Sequence, residues 1–506
     1  MLPRHALSTL LERFLGHGRP DDPAVVEERA GGALHTVSHA QLRAGAAAIA
    51  DTLRAGRPSL GGARVAFLIG PGASYVETML GIFLAGGTAV PLSPLHPPAE
   101  LGHIIATASP ERLLASPDLT SRLHGLPSPA PAPSSLLSVT PSSITTATAS
   151  DPLTPGDGDP ALMLFTSGTT GKPKGVTMSH GALAATLAAL EQAWGWRRDD
   201  RLLHVLPLHH THGVVVALFG ALWAGAATRF APFDGARVWE LFAGSTVFMA
   251  VPTIYAKLME AFRTAAAAQQ AAWQSSARAM RLLTSGSAAL PAALFREFEA
   301  ASGQPLLERY GMTEIGMALS NPLAGPRIAG AVGRELPGVT VDVVDDDGRA
   351  LDADQPGELR VRSPQMFSGY HGDPEATARS FDDQGRFRTG DTGLRDGAGV
   401  VRLLGRTSTD ILKSGGYKLS ALEIEAVLRD HPAVAEVAVI GLPDQTWGDR
   451  VTACAVLRPG AALTLAELRE FARDRLASYK LPRELRLLDA LPRTALGKVQ
   501  KGLLKS

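Results

Sequence analysis

Short apolar runs at residues 65–69, 88–92, 161–165 and 202–206 alternate along the chain with longer Ala/Leu-rich stretches such as 41–53 and 182–194. Runs of four or five apolar residues predict buried strands, and the longer stretches predict helices. Their alternation predicts an α/β architecture in which helices cover the sheet faces. Residues 10–15, followed by Asp21-Asp22-Pro23, read as a first helix and turn. Residues 176–178 read as one more strand.

The pattern changes after Gly405-Arg406. A glycine-rich turn is followed by a helical stretch at 421–429, strand-like runs at 434–440 and 451–456, and a second helical stretch at 465–476. About a hundred residues is a common domain size, so this part is expected to fold as its own α+β unit. The expected division is a large domain of sheets with flanking helices at 1–405, a hinge at 406–410, and a small domain at 411–506, which the family resemblance described below implies to be mobile. The hinge is placed where Thr407-Ser408-Thr409 offers no apolar anchor. A chain of 506 residues also exceeds what one core usually supports. Between 127 and 159 the composition turns to Ser, Pro, Thr and Ala, which predicts a solvated surface connection.

Forty-nine basic residues balance forty-nine acidic ones. This gives no global electrostatic reason to expect nucleic acid or an anionic membrane as a partner. No stretch approaches the roughly 18 uninterrupted apolar residues of a membrane span. The amino-terminal twenty residues carry Arg and His but also Glu12 and no apolar core, so they read as part of the folded chain, and a cytoplasmic location is expected. Cys454 is the only cysteine, which excludes disulfides within the chain and thiolate metal clusters. Its apolar surroundings predict a buried core thiol.

Residues 166–175 read Thr-Ser-Gly-Thr-Thr-Gly-Lys-Pro-Lys-Gly. Gly168, Gly171 and Gly175 let backbone approach a ligand closely. The hydroxyls of Thr166, Ser167, Thr169 and Thr170 can donate to phosphate oxygens, and Lys172 and Lys174 supply charge. This is a nucleotide-phosphate cradle, but it is not a Walker A loop, because Pro173 stands where that motif needs Ser or Thr. The loop resembles the signature of the acyl-adenylate-forming superfamily, which includes acyl-CoA synthetases, peptide-synthetase adenylation domains and luciferases.

Five further segments, in the order that resemblance implies, extend it from about residue 11 to residue 505. Three histidines, His209, His210 and His212, stand in 207–213. A metal site is conceivable there, but neither a cysteine nor a helical i, i+4 histidine pair supports zinc. The resemblance makes them a wall of the acyl pocket and nucleotide site, with His210 among the catalytic candidates. Gly286, Ser287 and Ala288 belong to a turn of small residues that would pack along adenine. In the segment 308–314 the resemblance gives Glu308, Gly311 and Met312 to the nucleotide site, Tyr310 to the adenine, Thr313 to the α-phosphate and Glu314 to Mg2+. Those roles suit the residue types: a flat ring for a base, a hydroxyl for a phosphate, a hard carboxylate for a hard cation. Asp391 and Arg406 would hold the ribose. Gly415, Gly416 and Tyr417 would border the CoA channel, and Lys498 would be the catalytic lysine bridging carboxylate and phosphate. Rotation of the small domain would exchange the lysine for the glycine turn. By contrast, the acidic run 345–348 reads as a solvated hairpin tip.

Arg309 precedes Tyr310 in a stretch that would also line the acyl pocket, and a guanidinium there offers a planar fork to a second carboxylate. Lys257, on the helix expected after Pro252, would add a second cation. The plainer alternatives are an Arg309–Glu308 pair and a Lys257–Glu260 pair. Residues 248–259, 306–317 and 442–448 together resemble the malonyl-CoA synthetase branch of the superfamily. This implies an ATP-, Mg2+- and CoA-dependent ligase acting on malonate or methylmalonate. Its partners would be small molecules, without nucleic acid or a membrane span. A synthetase for another short, medium-chain or aryl acid shares every nucleotide motif. A peptide-synthetase adenylation domain would adjoin a carrier protein, which does not follow Lys498 here, and the intact Lys498 and Glu314 argue against a non-catalytic nucleotide-binding module.

Overall fold

The computed structural model describes residues 8–28, 32–124, 126, 136–138, 154–167, 173–414, 417–493 and 499–505. The fold divides into two compact units. The larger comprises residues 1–327, 335–340 and 362–385; the smaller comprises 328–334, 341–361 and 386–506. The division expected after residue 405 therefore falls inside the smaller unit, which takes in Phe387–Arg395 and Val401–Arg406.

The larger unit holds a seven-stranded and a nine-stranded sheet. In the seven-stranded sheet Gly369–Tyr370, Pro173–Ser179, Pro160–Ser167, Thr88–Pro91, Arg64–Leu68, Arg112–Ala115 and Leu136–Ser138 follow one another. The inner pairs are parallel and covered on both faces, which is why they read as unbroken apolar runs. Leu136–Ser138 lies within the stretch expected to be a surface connection and instead pairs in parallel with Arg112–Ala115. In the nine-stranded sheet the strands Leu307–Met312, Leu282–Ser285, Val247–Ala250 and Arg201–His204 lie side by side.

The helices follow the sequence pattern and its stop signals. His39–Arg54 opens on a Ser38–Gln41 capping box and ends with Ala55 in the left-handed conformation. His180–Trp194 opens on Ser179 and closes on left-handed Gly195. Leu10, Leu11 and Phe14 of the first helix belong to the core shared with these helices, where Phe14 meets Phe219 edge-on at 5.3 Å. Each such fully buried side chain contributes about 1.5–3 kcal/mol. Among the described residues no helix is long and apolar enough to cross a membrane.

The smaller unit pairs Thr340–Val344, Gly357–Arg362, Phe387–Arg395 and Val401–Arg406 in one sheet. In its second sheet Val434–Asp444 runs antiparallel to Gly448–Leu457, and helices Ala421–Arg429 and Leu465–Ala472 contribute to the core. Cys454 is buried there. Residues 345–348 form the expected tight turn, with Gly348 N–H donating to the Asp345 carbonyl at 3.1 Å.

Candidate active site

The phosphate loop is the connection of an antiparallel pair. Thr166 stands opposite Lys174 and Ser167 opposite Pro173, so its ends are fixed by two paired strands of the seven-stranded sheet. Gly168, Thr169, Thr170, Gly171 and Lys172 lie outside the described residues, as do Gly415, Gly416 and Lys498. Tyr417 opens the strand Tyr417–Ser420. Lys174 is described: its ammonium is 3.3 Å from Asp373 Oδ2 and 5.1 Å from the centre of the Tyr370 ring. Tyr370 is itself paired with Val176 across the strand that leaves the loop. Its hydroxyl donates to Glu314 Oε1 at 3.0 Å. Tyr370 and Asp373 thus join the loop lysine to the carboxylate expected to hold a metal. Neither residue lies in a sequence motif for the site: Asp373-Pro374 signals only a helix start, and Asp373 does cap Pro374–Arg379.

The strand Leu307–Met312 sorts its side chains by alternation. Tyr310, nearly buried, turns its hydroxyl to Met312 Sδ at 3.6 Å. Gly311 has no room for a side chain, since a Cβ would stand 2.3 Å from the Gly316 carbonyl oxygen. Thr313 Oγ1 lies 2.8 Å from Thr211 Oγ1, which ties the turn after this strand to the histidine loop. Glu314 is buried, and its carbonyl accepts from Phe367 N–H at 2.9 Å.

Arg309 is only 4 % exposed. Its guanidinium lies over Gly286, and no carboxylate pairs with it among the described residues; Nε and Nη2 have no hydrogen-bond partner there. The alternative of an Arg309–Glu308 pair is not realised, because neighbouring residues of a strand face opposite ways. Burial lowers the Arg309 pKa to about 10, which leaves it charged at neutral pH. Lys257 does not join it. The helix Pro252–Thr264 turns Tyr255 inward, its hydroxyl donating to the Thr284 carbonyl at 2.8 Å, and Lys257, about 200° further round, is exposed with its ammonium 5.7 Å from the Phe233 ring. The expectation of a second pocket cation on this helix is thereby corrected.

The histidine loop leads into a π-helix, His212–Phe219, a form that often marks functional sites. The rings of His209 and His210 lie 4.0 Å apart, and His96, from outside the motif, meets His209 at 4.8 Å. Burial, with repulsion from His96, pushes His210 down to about 4; His209 is lowered further by burial and by both neighbours. His212 is lowered by burial and then by Arg309. At neutral pH this wall is uncharged. Among the described residues no cluster of three or more metal-ligating side chains occurs. Ser287 holds a left-handed φ of 68° and places Oγ 3.3 Å from His212 Nδ1. Ala288 beside it is exposed. A non-glycine residue in that conformation is costly and tends to persist where function requires it.

In the smaller unit Asp391 and Arg406 stand opposite each other on adjacent strands. Arg406 Nε is 3.0 Å from Asp391 Oδ1, and Nη1 donates to the Thr389 carbonyl at 2.8 Å. A carboxylate oriented in this way can accept the two hydroxyls of a sugar.

Residues 13–371 match the family described as AMP-binding enzyme, and residues 423–498 match the AMP-binding enzyme C-terminal domain. The human protein named Malonate--CoA ligase ACSF3, mitochondrial, is 43% identical over 475 residues, spanning 87% of this chain and 82% of that one. The ATP-bound crystal structure of MatB from Rhodopseudomonas palustris matches with a TM-score of 0.87 at 35% identity, covering 99% of this chain and 98% of that one. A malonyl-CoA ligase with methylmalonyl-CoA and AMP bound matches with a TM-score of 0.67 at 38% identity, covering 95% and 99%. The chain belongs to the AMP-binding enzyme family, within the acyl-adenylate-forming ligases.

Proposed function

We propose that this enzyme is a malonate–CoA ligase, converting malonate, ATP and CoA to malonyl-CoA, AMP and pyrophosphate. The observation that carries the acid is Arg309: a guanidinium buried without a counter-ion among the described residues costs several kcal/mol, a cost that an anionic ligand offsets. The names of the relatives point to the same acid.

A carboxylate is a poor electrophile. One malonate oxygen attacks the α-phosphorus of ATP, the bond to the β-phosphate oxygen breaks and pyrophosphate leaves. The sulfur of CoA then attacks the acyl carbon of the adenylate, AMP leaves with the bonding pair, and the thiol proton goes to solvent. For the first step the residues mainly position the reactants and neutralise charge. The loop 166–174 would bind the phosphates, Tyr310 the adenine, Asp391 with Arg406 the ribose, and Arg309 the distal carboxylate. Lys498 would stand at the reacting oxygens, with Gly415, Gly416 and Tyr417 at the pantetheine arm. The neutral wall at His210 leaves Arg309 as the charge that selects the acid.

A divalent cation fits Glu314, since Mg2+ is commonly held by one or two carboxylates together with substrate phosphates. When bound it would neutralise phosphate charge, while Tyr370 orients the carboxylate that holds it. We place the enzyme in the cytoplasm, to be tested by cell fractionation. The function is tested by pyrophosphate release with malonate, methylmalonate, acetate and octanoate, with and without CoA. Malonate should lead the panel, and a preference for acetate or octanoate would overturn the reading.

A further inference from the structure

Three residues beyond Lys498, Lys501 carries an ammonium clasped between two carboxylates. Its Nζ lies 2.6 Å from Asp410 Oδ1 and 2.6 Å from Glu425 Oε1, and the three side chains are only 10, 14 and 7 % exposed. Both acids are engaged further. Glu425 Oε1 accepts the Val439 N–H at 2.7 Å. Asp410 Oδ2 accepts the Arg406 N–H at 3.0 Å, and its carbonyl accepts from Ala421 N–H at 2.7 Å. Arg406 in turn holds Asp391. A continuous chain of ion pairs and one backbone hydrogen bond therefore runs from the Asp391–Arg406 pair through residues 406–410 to the tail beyond Lys498.

The same tail is fixed at other points. Arg493 and Val499 form an antiparallel bridge, the Gln500 N–H donates to the Pro492 carbonyl at 2.8 Å, and Arg493 pairs with Glu436. Leu504 adds an apolar anchor beside Ile440, Leu442 and Leu491. Those contacts would hold the tail against the sheet without Lys501. Replacing a buried ion cluster by apolar groups is often neutral for stability, so the triad is more than folding requires. What the other contacts lack is a link to Asp410, and hence to the turn on which the small domain would rotate.

We propose that Lys501 is a positioning residue for adenylation, registering the segment that bears Lys498 to the hinge turn through Asp410 and Glu425. The inference rests on the ligase reading above. If Lys498 must reach carboxylate and phosphate in one step and withdraw for the next, its base needs a fixed register to the hinge in the first step only. Lys501 itself touches no substrate in this account.

The test compares Lys501→Met, Lys501→Arg and the double variant Lys501→Met/Glu425→Gln in the full chain. The double variant removes one buried negative charge, so that a folded protein is available if the single variant is unstable. Acid-dependent pyrophosphate release without CoA reads adenylation, and thioester formation from supplied acyl-adenylate reads the second step. Adenylation kcat should fall at least about tenfold in both Met variants, with the KM for ATP and the second step held within about threefold, and Lys501→Arg should recover most of the loss. Hydrogen exchange in 499–505 should speed up in the Met variants, while Val434–Asp444 keeps its protection. Equal losses in both half-reactions, or unchanged adenylation with unchanged exchange, overturn the inference. If the parent enzyme adenylates a different acid, the malonate reading falls and the comparison is run with that acid.

Discussion

The guanidinium of Arg309 occupies the space that a side chain at residue 286 would need: a Cβ on Gly286 would stand 2.4 Å from Arg309 Cζ. Because Arg309 is buried, it cannot swing into solvent to make room. Gly286→Ala should therefore displace the charge without removing it. The kcat/KM for malonate should fall about tenfold more than that for acetate, a shift of roughly 1.4 kcal/mol. Equal losses for the two acids would place Gly286 with the nucleotide alone.

Tyr370 offers a separate lever on the phosphate side. Tyr370→Phe keeps the ring beneath Lys174 and removes only the hydroxyl that Glu314 accepts. A hydrogen bond to a charged group is worth about 1.5–3 kcal/mol, so adenylation should slow by roughly ten- to a hundredfold, with a raised Mg2+ requirement. Titration of activity against Mg2+ checks this, and an unchanged Mg2+ midpoint would separate Tyr370 from the metal.

The strands and helices were legible where burial on both faces or a stripe of apolar residues wrote them into the sequence, as at Arg64–Leu68 and His180–Trp194. Ordered motifs likewise brought Tyr310, Thr313, Glu314, Asp391 and Arg406 to attention before any geometry. Tyr370, Asp373 and His96 were not legible, because their contacts are made by strand pairing and loop approach between residues far apart in the chain. Lys257 shows the converse error. Its type suited the pocket, but helical phase set by Tyr255 turns it outward. The triad of Lys501, Asp410 and Glu425 draws on three distant segments, and nothing in the sequence distinguishes Lys501 from a solubility lysine.

Buried neutral histidines should make the fold acid-sensitive. Burial pushes His180 and His204 each from 6.5 to about 4. The unfolded chain takes up these protons near pH 6.5, and the folded chain does not until about pH 4. Their contribution is therefore complete above pH 6.5 and is lost as the pH falls towards 4. At pH 5 each imidazole should cost about 2 kcal/mol of stability relative to pH 7.5. Urea midpoints measured between these pH values should fall, and less steeply in a His180→Gln/His204→Gln double variant. An identical acid slope in that variant would mean that other groups control it.

Arg309→Leu makes the sharpest demand on the proposed substrate. Removing the cation would leave the distal carboxylate of malonate desolvated and unpaired, a penalty of about 3 to 5 kcal/mol, so its kcat/KM should fall by at least about two orders of magnitude. Butyrate has no distal charge and should lose little or gain. The comparison must be a ratio, because Arg309 adjoins Tyr310 and its loss could weaken ATP binding for every acid alike. Lys257→Ala, by contrast, should leave the ratio within about twofold, as expected of an exposed side chain. The substrate-free protein supplies an independent readout. Since Arg309 has no counter-ion among the described residues, an apolar side chain in its place should raise the thermal midpoint in the absence of malonate, while abolishing the further rise that malonate gives the parent. An equal fall for malonate and butyrate, together with a lower midpoint, would make Arg309 a structural residue and leave the choice of acid to the histidine wall around His210.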